Sequence, residues 1–208
     1  MFSLREMCQQ VAVIPVLVVK DTAHAKPLAA ALVTGGLKVL EVTLRTPAAL
    51  DVIRLMSEVP GSQVGAGTVL TLADVKAAKA AGAQFAVSPG ATDDLIKAAA
   101  DEGLPLLPGA STASEVMRML ELGLDTLKFF PAEAAGGVSM LKSLHGPLPK
   151  VMFCPTGGIT EKTAANYLAL PNVMCVGGSW VTPDNLLQAG DWQAIQTLAQ
   201  AAQALKQV

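Results

Sequence analysis

Short apolar runs alternate along the chain with longer segments in which apolar residues recur at helical spacing, and Gly or Pro separates the two kinds. The short runs are typical of buried strands and the longer periodic segments of amphipathic helices. The predicted strands are Val11–Val19, Leu37–Leu44, Gln63–Thr68, Gln84–Val87, Pro105–Leu107, Thr126–Phe130, Val151–Cys154 and Val173–Val176. The first predicted helix begins after an N-cap at Asp21 or Thr22 and ends near Gly35-Gly36. The later helices are Ala48–Glu58, Leu72–Ala81, Thr92–Asp101, Ser111–Leu122, Val138–Leu144 and Glu161–Leu168. A short turn at Pro183–Leu187 and a final helix, Trp192–Lys206, complete the chain.

Strand-plus-helix units repeated about every 25 residues predict an α/β fold, a single (β/α)8 TIM barrel. A doubly wound open sheet is the alternative, but the first strand-to-helix turn has no GxGxxG sequence. Without a linker or a shift in composition, residues 1–208 are expected to form one domain. We expect Met1–Gln10 to form a short helix that caps the closed end of the barrel.

Composition narrows the function classes. The net charge is -2 and aromatic residues make up 4% of the chain, so nucleic acid is not expected as a partner. No apolar stretch reaches the ~18 residues of a membrane span, and the polar N-terminus does not resemble a signal peptide. Three cysteines without CxxC spacing indicate free thiols in a reducing cytoplasm. Two isolated histidines, His24 and His145, give no support to a metal site, and we expect no cofactor.

Lys128 lies among large apolar residues in Leu127-Lys128-Phe129-Phe130-Pro131. Burial disfavours the ammonium form of such a lysine, and the free amine is a nucleophile that condenses with ketones to form a Schiff base. The alternative is a lysine at a strand end whose stem packs on apolar surface while its head stays in water.

Strand parity places a carboxylate in the predicted lumen. Glu41, Thr43 and Arg45 share one parity of the second strand, and the opposite parity is apolar and suits the helices. Glu41 and Arg45 are therefore predicted to point into the barrel, where a carboxylate must be paired or take part in chemistry. The alternative is a purely structural ion pair of Glu41 with Arg45 or with a lysine.

Polar or small residues follow most of the predicted strands. Small residues at the end of the third strand, before Thr68, would let a ligand approach the backbone. The turns after strands seven and eight of such barrels often bind phosphate through backbone N–H groups, and ordinary turn chemistry is the alternative. These two turns are Thr156-Gly157-Gly158 and Gly177-Gly178-Ser179, and the turns after the fourth and fifth strands are Ser88-Pro89-Gly90 and Pro108-Gly109-Ala110-Ser111.

Together these residues form a coherent Schiff-base site. Lys128 would attack a 2-oxo group, and Glu41 would move protons during dehydration and enamine formation. Arg45 with the hydroxyls of Thr68 and Thr156 would hold the carboxylate of a pyruvoyl unit.

Five segments in order resemble the class I 2-keto-3-deoxy-6-phosphogluconate (KDPG) aldolases, including forms that also cleave 4-hydroxy-2-oxoglutarate (KHG). The segments are Leu40-Glu41-Val42-Thr43-Leu44-Arg45-Thr46, Val64-Gly65-Ala66-Gly67-Thr68-Val69, Phe85-Ala86-Val87-Ser88-Pro89-Gly90, Lys128-Phe129-Phe130-Pro131-Ala132-Glu133 and Cys154-Pro155-Thr156-Gly157-Gly158-Ile159.

The resemblance implies reversible cleavage of KDPG to pyruvate and glyceraldehyde 3-phosphate in the Entner–Doudoroff pathway, by a cytoplasmic, metal-free homotrimer. It implies Lys128 as the Schiff-base lysine, Glu41 as the proton acceptor and donor, and phosphate binding at Gly158 and Ser179. The full set of expected substrate-binding residues is Arg45, Thr68, Pro89, Phe130, Thr156, Gly157, Gly158, Gly178 and Ser179.

Other functions fit the same pattern. An aldolase for a related acid, such as the 6-phosphogalactonate epimer, differs only in stereochemistry. A metal-dependent aldolase or a phosphosugar isomerase could use the same barrel, although two histidines are few for the metal version. A non-catalytic barrel that binds a phosphate ligand is also open, because fold does not determine function.

Overall fold

The computed structural model describes residues 3–206 as one run of parallel strands and covering helices. The strands are β1 (Val13–Leu17), β2 (Val39–Thr43), β3 (Gln63–Gly67), β4 (Phe85–Val87), β5 (Leu106–Leu107), β6 (Gly109–Ala110), β7 (Thr126–Phe129), β8 (Met152–Pro155) and β9 (Val176–Gly178). The helices are α1 (Leu4–Cys8), α2 (Ala25–Thr34), α3 (Ala49–Ser57), α4 (Leu72–Ala80), α5 (Asp93–Asp101), α6 (Ala113–Glu121), α7 (Gly137–His145), α8 (Glu161–Leu168), α9 (Asp184–Ala189) and α10 (Trp192–Gln203), with a 3-10 turn at Thr22–His24 before α2.

The strands form two parallel sheets. Six strands pair in the order β5-β4-β3-β2-β1-β9, and three pair in the order β6-β7-β8. Two isolated parallel bridges, Phe153 with Val173 and Thr156 with Gly177, lie between the β8 region and the β9 region. The predicted α/β class with a parallel sheet is therefore confirmed, and helices cover the strands, which explains their nearly continuous apolar sequences.

The fifth predicted strand differs from its prediction. It stops at Leu107 and resumes at Gly109, so the paired residues fall into β5 and β6 on either side of Pro108. Proline has no N–H to donate to a ladder, whereas its carbonyl still accepts from the Lys128 amide at 2.8 Å. The break therefore coincides with the change from one sheet to the other.

The eighth predicted strand, Val173–Val176, is displaced towards the C-terminus. β9 runs from Val176 to Gly178, because the backbone of this segment pairs with Val13–Pro15 of β1. Gly177 and Gly178 therefore belong to the strand itself, and Ser179 is the first residue of the turn after it. Apolar content alone did not reveal that two glycines would complete the ladder.

Within the predicted Met1–Gln10 helix, residues 3–10 are described, and Met1 and Phe2 lie outside the described residues. α1 has a capping box in which Ser3 and Glu6 satisfy each other's backbone N–H groups. Arg5 then reaches Asp125 and Thr126, so α1 lies at the amino end of β7. Among residues 3–206, no helix has the length and apolar character needed to cross a membrane.

Candidate active site

A buried ion pair joins two strands from different sheets. Glu41 on β2 is 3% exposed, Lys128 on β7 is 6% exposed, and Lys128 Nζ donates to Glu41 Oε1 at 3.2 Å. The alternative in which the lysine head stays in water is therefore wrong. Burying both charges costs more free energy than their attraction returns in many proteins, so such a pair is weak support for a stabilising role.

Gly67 makes room for the Glu41 side chain. A Cβ at residue 67 would lie 2.3 Å from Glu41 Oε1 and 2.7 Å from Glu41 Cγ. Gly67 is the last residue of β3, which pairs with β2 in register. We expected the small residues of this segment to admit a ligand, but here the space above Gly67 is occupied by the carboxylate.

Phe130 packs against the same amine. Its ring centroid lies 5.3 Å from Lys128 Nζ, at the distance of a cation–π contact. The ammonium form of Lys128 thus has a carboxylate and an aromatic face as its neighbours. Because Phe130 directly follows the last residue of β7, Phe129, the strand end holds the lysine and the ring together.

Thr156, which belongs to the predicted site, and Thr43, which does not, are both buried and have different surroundings. Thr156, 6% exposed, follows β8, and its hydroxyl donates to the Cys154 carbonyl at 3.4 Å. Its bridge to Gly177 brings the turns after β8 and β9 side by side. Thr43 instead donates to the Leu17 carbonyl at 2.9 Å, so this hydroxyl links β2 to β1.

Arg45, Thr68 and Pro89 lie after β2, β3 and β4, and none of the three forms a hydrogen bond or ion pair with the Lys128 side chain. Arg45 is in a turn and is exposed, because β2 ends at Thr43 and strand parity no longer applies. Among residues 3–206 it has no salt-bridge or hydrogen-bond partner, so the alternative Glu41–Arg45 pair is not formed. Pro89 is exposed.

Thr68 has an unusual backbone conformation. Its φ is 60°, the only positive φ of a non-glycine residue in the described part of the chain. A β-branched residue in the left-handed region is strained by about 1–3 kcal/mol. Strain of this kind occurs most often at functional sites, which favours a role for the position next to Gly67.

The turn after β8 contains two successive glycines with unusual backbone conformations. Gly157 and Gly158 both have positive φ, 104° and 79°. Successive N–H groups in such turns can form a concave anion-binding nest. Gly158 and Ser179 are exposed, whereas Gly178 is buried at the end of β9.

Two residues that the sequence did not single out lie behind this turn. Tyr167 on α8 is 1% exposed, and its hydroxyl donates to Glu133 Oε1 at 2.6 Å. Burial raises the pKa of the Tyr167 phenol, and the Glu133 carboxylate raises this pKa further. Glu133 belongs to a segment that carried the family resemblance, and Tyr167 is the only tyrosine of the chain. The only sequence signal that could have identified Tyr167 was its being the single tyrosine of the chain, within an amphipathic helix.

The three cysteines are far apart in sequence but adjacent in space. All three thiols are free and buried. Hydrogen bonding with Cys154 and Cys8, together with burial, raises the pKa of the Cys175 thiol. Among residues 3–206, no group of three or more His, Cys, Asp or Glu residues is arranged to hold a metal ion.

The site therefore combines a buried amine in contact with a carboxylate, a nearby aromatic ring, and a glycine-containing turn at the end of a neighbouring strand. A buried amine of this kind can react with a ketone, and the adjacent carboxylate can move the protons that the reaction requires.

Comparison with known proteins agrees with this chemistry. The family model described as KDPG and KHG aldolase matches residues 4–198. The KHG/KDPG aldolase of Escherichia coli strain K12 is 53% identical over 191 residues, which cover 91% of this chain and 90% of that protein.

Two solved structures are also close. The KDPG aldolase of Zymomonas mobilis ZM4, crystallised with 3-phosphoglycerate, has a TM-score of 0.92 and 52% identity, covering 98% of this chain and 96% of its own. The KDPG aldolase of Legionella pneumophila, with pyruvate captured at low pH as a covalent carbinolamine intermediate, has a TM-score of 0.93 and 46% identity, covering 96% of this chain and 97% of its own.

Proposed function

The chain belongs to the KDPG and KHG aldolase family, and from this premise we propose that it is a class I aldolase, a lyase that reversibly cleaves KDPG to pyruvate and glyceraldehyde 3-phosphate. The observation that carries the proposal is the buried contact of 3.2 Å between Lys128 Nζ and Glu41 Oε1. It supplies both the nucleophile and the proton carrier that a Schiff-base reaction needs.

In the proposed reaction, Glu41 accepts a proton from Lys128, and the free amine attacks C2 of the 2-oxo acid. Glu41 gives this proton to the hydroxyl of the resulting carbinolamine, which leaves as water and gives a protonated imine. The C3–C4 bond then breaks, its electron pair moves towards the imine nitrogen, and the C4 hydroxyl gives its proton to Glu41 as the aldehyde leaves. Glu41 finally returns a proton to C3 of the enamine, and water releases pyruvate and restores Lys128.

The remaining roles are assigned to residues around the strand ends. We propose that Arg45, Thr68 and Thr156 bind the carboxylate of the pyruvoyl unit, since Arg and hydroxyl groups recognise carboxylates well. Pro89 and Phe130 would flank the carbon chain. The phosphate would bind at the two glycine-containing turns, through Gly157, Gly158, Gly178 and Ser179.

Borohydride reduction in the presence of pyruvate, followed by peptide mass mapping, tests the proposal. We expect a single reduced adduct on the peptide that contains Lys128, and none without borohydride. Lys142, near the C-terminal end of α7, provides an internal control for non-specific amine modification. An adduct confined to another lysine would show that the mechanism is wrong, and loss of activity with EDTA would favour the metal-dependent alternative.

A second substrate is favoured by the name of the Escherichia coli relative. We propose that this chain also cleaves 4-hydroxy-2-oxoglutarate, to pyruvate and glyoxylate. The pyruvoyl half is the same in both substrates, so Lys128 and Glu41 would act identically. Parallel assays with KDPG, KHG and the 6-phosphogalactonate epimer would rank the three substrates, and turnover of the epimer alone would contradict the assignment.

We further propose that the two sheets close into one (β/α)8 barrel that forms a single aldolase domain over residues 1–208. The interrupted β5–β6 would count as one strand, and the two bridges between the β8 and β9 regions support closure. A homotrimer in the cytoplasm is the assembly and location we propose from the family resemblance. Three free cysteines are consistent with a reducing compartment, and analytical ultracentrifugation would test the trimer.

A further inference from the structure

The start of the turn that contains Gly157 and Gly158 is hydrogen-bonded to the segment after β7. The Ala132 amide donates to the Thr156 carbonyl at 2.8 Å, and the Glu133 amide donates to the Gly157 carbonyl at 3.1 Å. These two bonds continue the β7–β8 pairing beyond the strands. They fix the start of the turn but leave the Gly158 N–H group without a backbone constraint of the same kind.

Glu133 supplies that constraint through its side chain. A Cβ at residue 158 would lie 2.7 Å from Glu133 Cγ and 2.8 Å from Glu133 Cβ, so the glutamate stem lies directly against the Gly158 backbone. With a φ of 79°, Gly158 also has a conformation that other residues rarely adopt. The position of Gly158 is thus set by how the Glu133 side chain is held.

Tyr167 holds the Glu133 side chain. The hydroxyl of this buried tyrosine donates to Glu133 Oε1 at 2.6 Å, although Glu133 itself is exposed. A hydrogen bond to a charged acceptor is among the stronger ones, and it removes rotational freedom from an otherwise free surface side chain. Because Tyr167 belongs to α8, the helix that follows the turn, the contact fixes the turn from its far end as well.

We propose that Glu133 and Tyr167 are positioning residues that hold the Gly158 N–H group for the phosphate of the substrate and so set the preference for phosphorylated substrates. This inference rests on the proposed aldolase function. Neither residue takes part in the chemistry at Lys128. Both residues act on binding of the phosphate end of the substrate. Loss of either one should therefore raise KM and leave Schiff-base formation intact.

Three substitutions test the proposal. Tyr167→Phe keeps the buried ring and removes only the hydroxyl, while Glu133→Ala removes the stem that lies against Gly158. For both we expect KM for KDPG to rise about tenfold with kcat little changed, since about 1.4 kcal/mol of binding corresponds to a factor of ten. Glu133→Gln keeps an oxygen that accepts from Tyr167 and removes a charge near the phosphate, so KM is expected to stay within about twofold of the wild type.

The phosphate-free readout is exchange of the pyruvate methyl protons with solvent, followed by NMR. This exchange is expected to stay within about twofold of the wild type in all three variants, because it requires only the Schiff base. Asn166→Ala is the matched control, since Asn166 is the exposed neighbour of Tyr167 on α8. Thermal unfolding of each variant reports on any general loss of structure.

An unchanged KM for KDPG in Tyr167→Phe would overturn the inference. Equal losses in KDPG cleavage and in pyruvate exchange would also overturn it, because they would indicate a purely structural role. Failure of the wild type to exchange pyruvate protons would instead contradict the proposed aldolase function. The two proposals therefore fail on different measurements.

Discussion

Two ion pairs lie at opposite ends of β7 and differ in almost every physical respect. Lys128 pairs with Glu41 in the interior, with side chains 7% and 4% exposed. Arg5 pairs with Asp125, just before the strand, with side chains 33% and 52% exposed. Arg5 also donates to the carbonyls of Asp125 and Lys150 at 3.0 and 3.3 Å, which attaches α1 to the sheet.

The difference shows how stability and chemistry divide along one strand. The exposed pair costs little desolvation and contributes a modest attraction that salt screens. The buried pair has a large desolvation cost, which apolar side chains of similar size would avoid. A chain that keeps the costly pair in its interior, where aliphatic side chains could take its place, retains a reactive amine beside a proton carrier.

The largest effect is expected for Lys128→Met, which removes the nucleophile of the buried pair. KDPG cleavage should fall by about 10,000-fold or more, equivalent to over 5 kcal/mol of transition-state stabilisation. Coupled detection of pyruvate release measures the loss. The matched control is Arg5→Met in the exposed pair, which should retain wild-type turnover. Full activity of Lys128→Met would exclude Lys128 as the nucleophile of the reaction.

The second largest loss of activity is expected for Glu41→Gln, because this change keeps the shape of the buried pair and removes its proton carrier. We expect proton exchange at the pyruvate methyl group to fall by about 100–1,000-fold, as is usual for loss of a general base. Borohydride should still trap pyruvate on Lys128, since the nucleophile remains. Unchanged exchange rates would remove Glu41 from the proposed mechanism.

Stability measurements sharpen the contrast at the buried pair. Lys128→Met alone leaves the Glu41 carboxylate buried without its partner and should lower the free energy of unfolding by about 3 kcal/mol. The double variant Glu41→Leu/Lys128→Met should recover to within about 1 kcal/mol of the wild type, or exceed it. Urea unfolding of the single and double variants tests this. A double variant much less stable than the single one would mean that the pair is kept for stability.

The smallest effect is expected at the exposed pair. Arg5→Ala should lower the free energy of unfolding by about 1 kcal/mol, since it loses a partly exposed ion pair and two bonds to carbonyls. Urea unfolding at low salt measures the loss in the free energy of unfolding, and the same measurement at 1 M salt shows how much of this loss comes from the attraction that salt screens. Arg54→Ala, in the more exposed pair with Asp51, is the control and should cost about 0.5 kcal/mol or less. A loss at Arg5 as large as at Lys128 would remove the distinction between the two ends.

The site residues that could be predicted from the sequence are those whose signal lies in a few adjacent residues. Glu41 was identified by parity within its own strand, and Lys128 by its apolar neighbours, both of which are properties of a few adjacent residues. Arg45 was predicted to point inwards by the same parity, but the ladder stops at Thr43 and the arginine lies in a turn. Strand ends depend on the partner strand, so parity could not show where its own validity ended.

Contacts between distant segments were beyond the sequence signals. The cysteines were predicted to be free thiols, as they are, but no signal in the sequence indicated that Cys8, Cys154 and Cys175 meet in the interior. The Tyr167–Glu133 bond joins residues 34 positions apart, and neither residue alone indicates the other. The space above Gly67 was expected to serve a ligand and instead holds a side chain from the neighbouring strand.

The sequence by itself determined the class of the fold and the residue types that carry the chemistry, because periodicity and local composition decide which segments become buried strands and which polar groups they contain. The tertiary structure alone decided that residues 41 and 128 meet at 3.2 Å, that β5 and β6 are separate, and that Glu133 lies against Gly158. Such contacts depend on the register between strands, which is set by hydrogen bonds and packing between segments far apart in the chain.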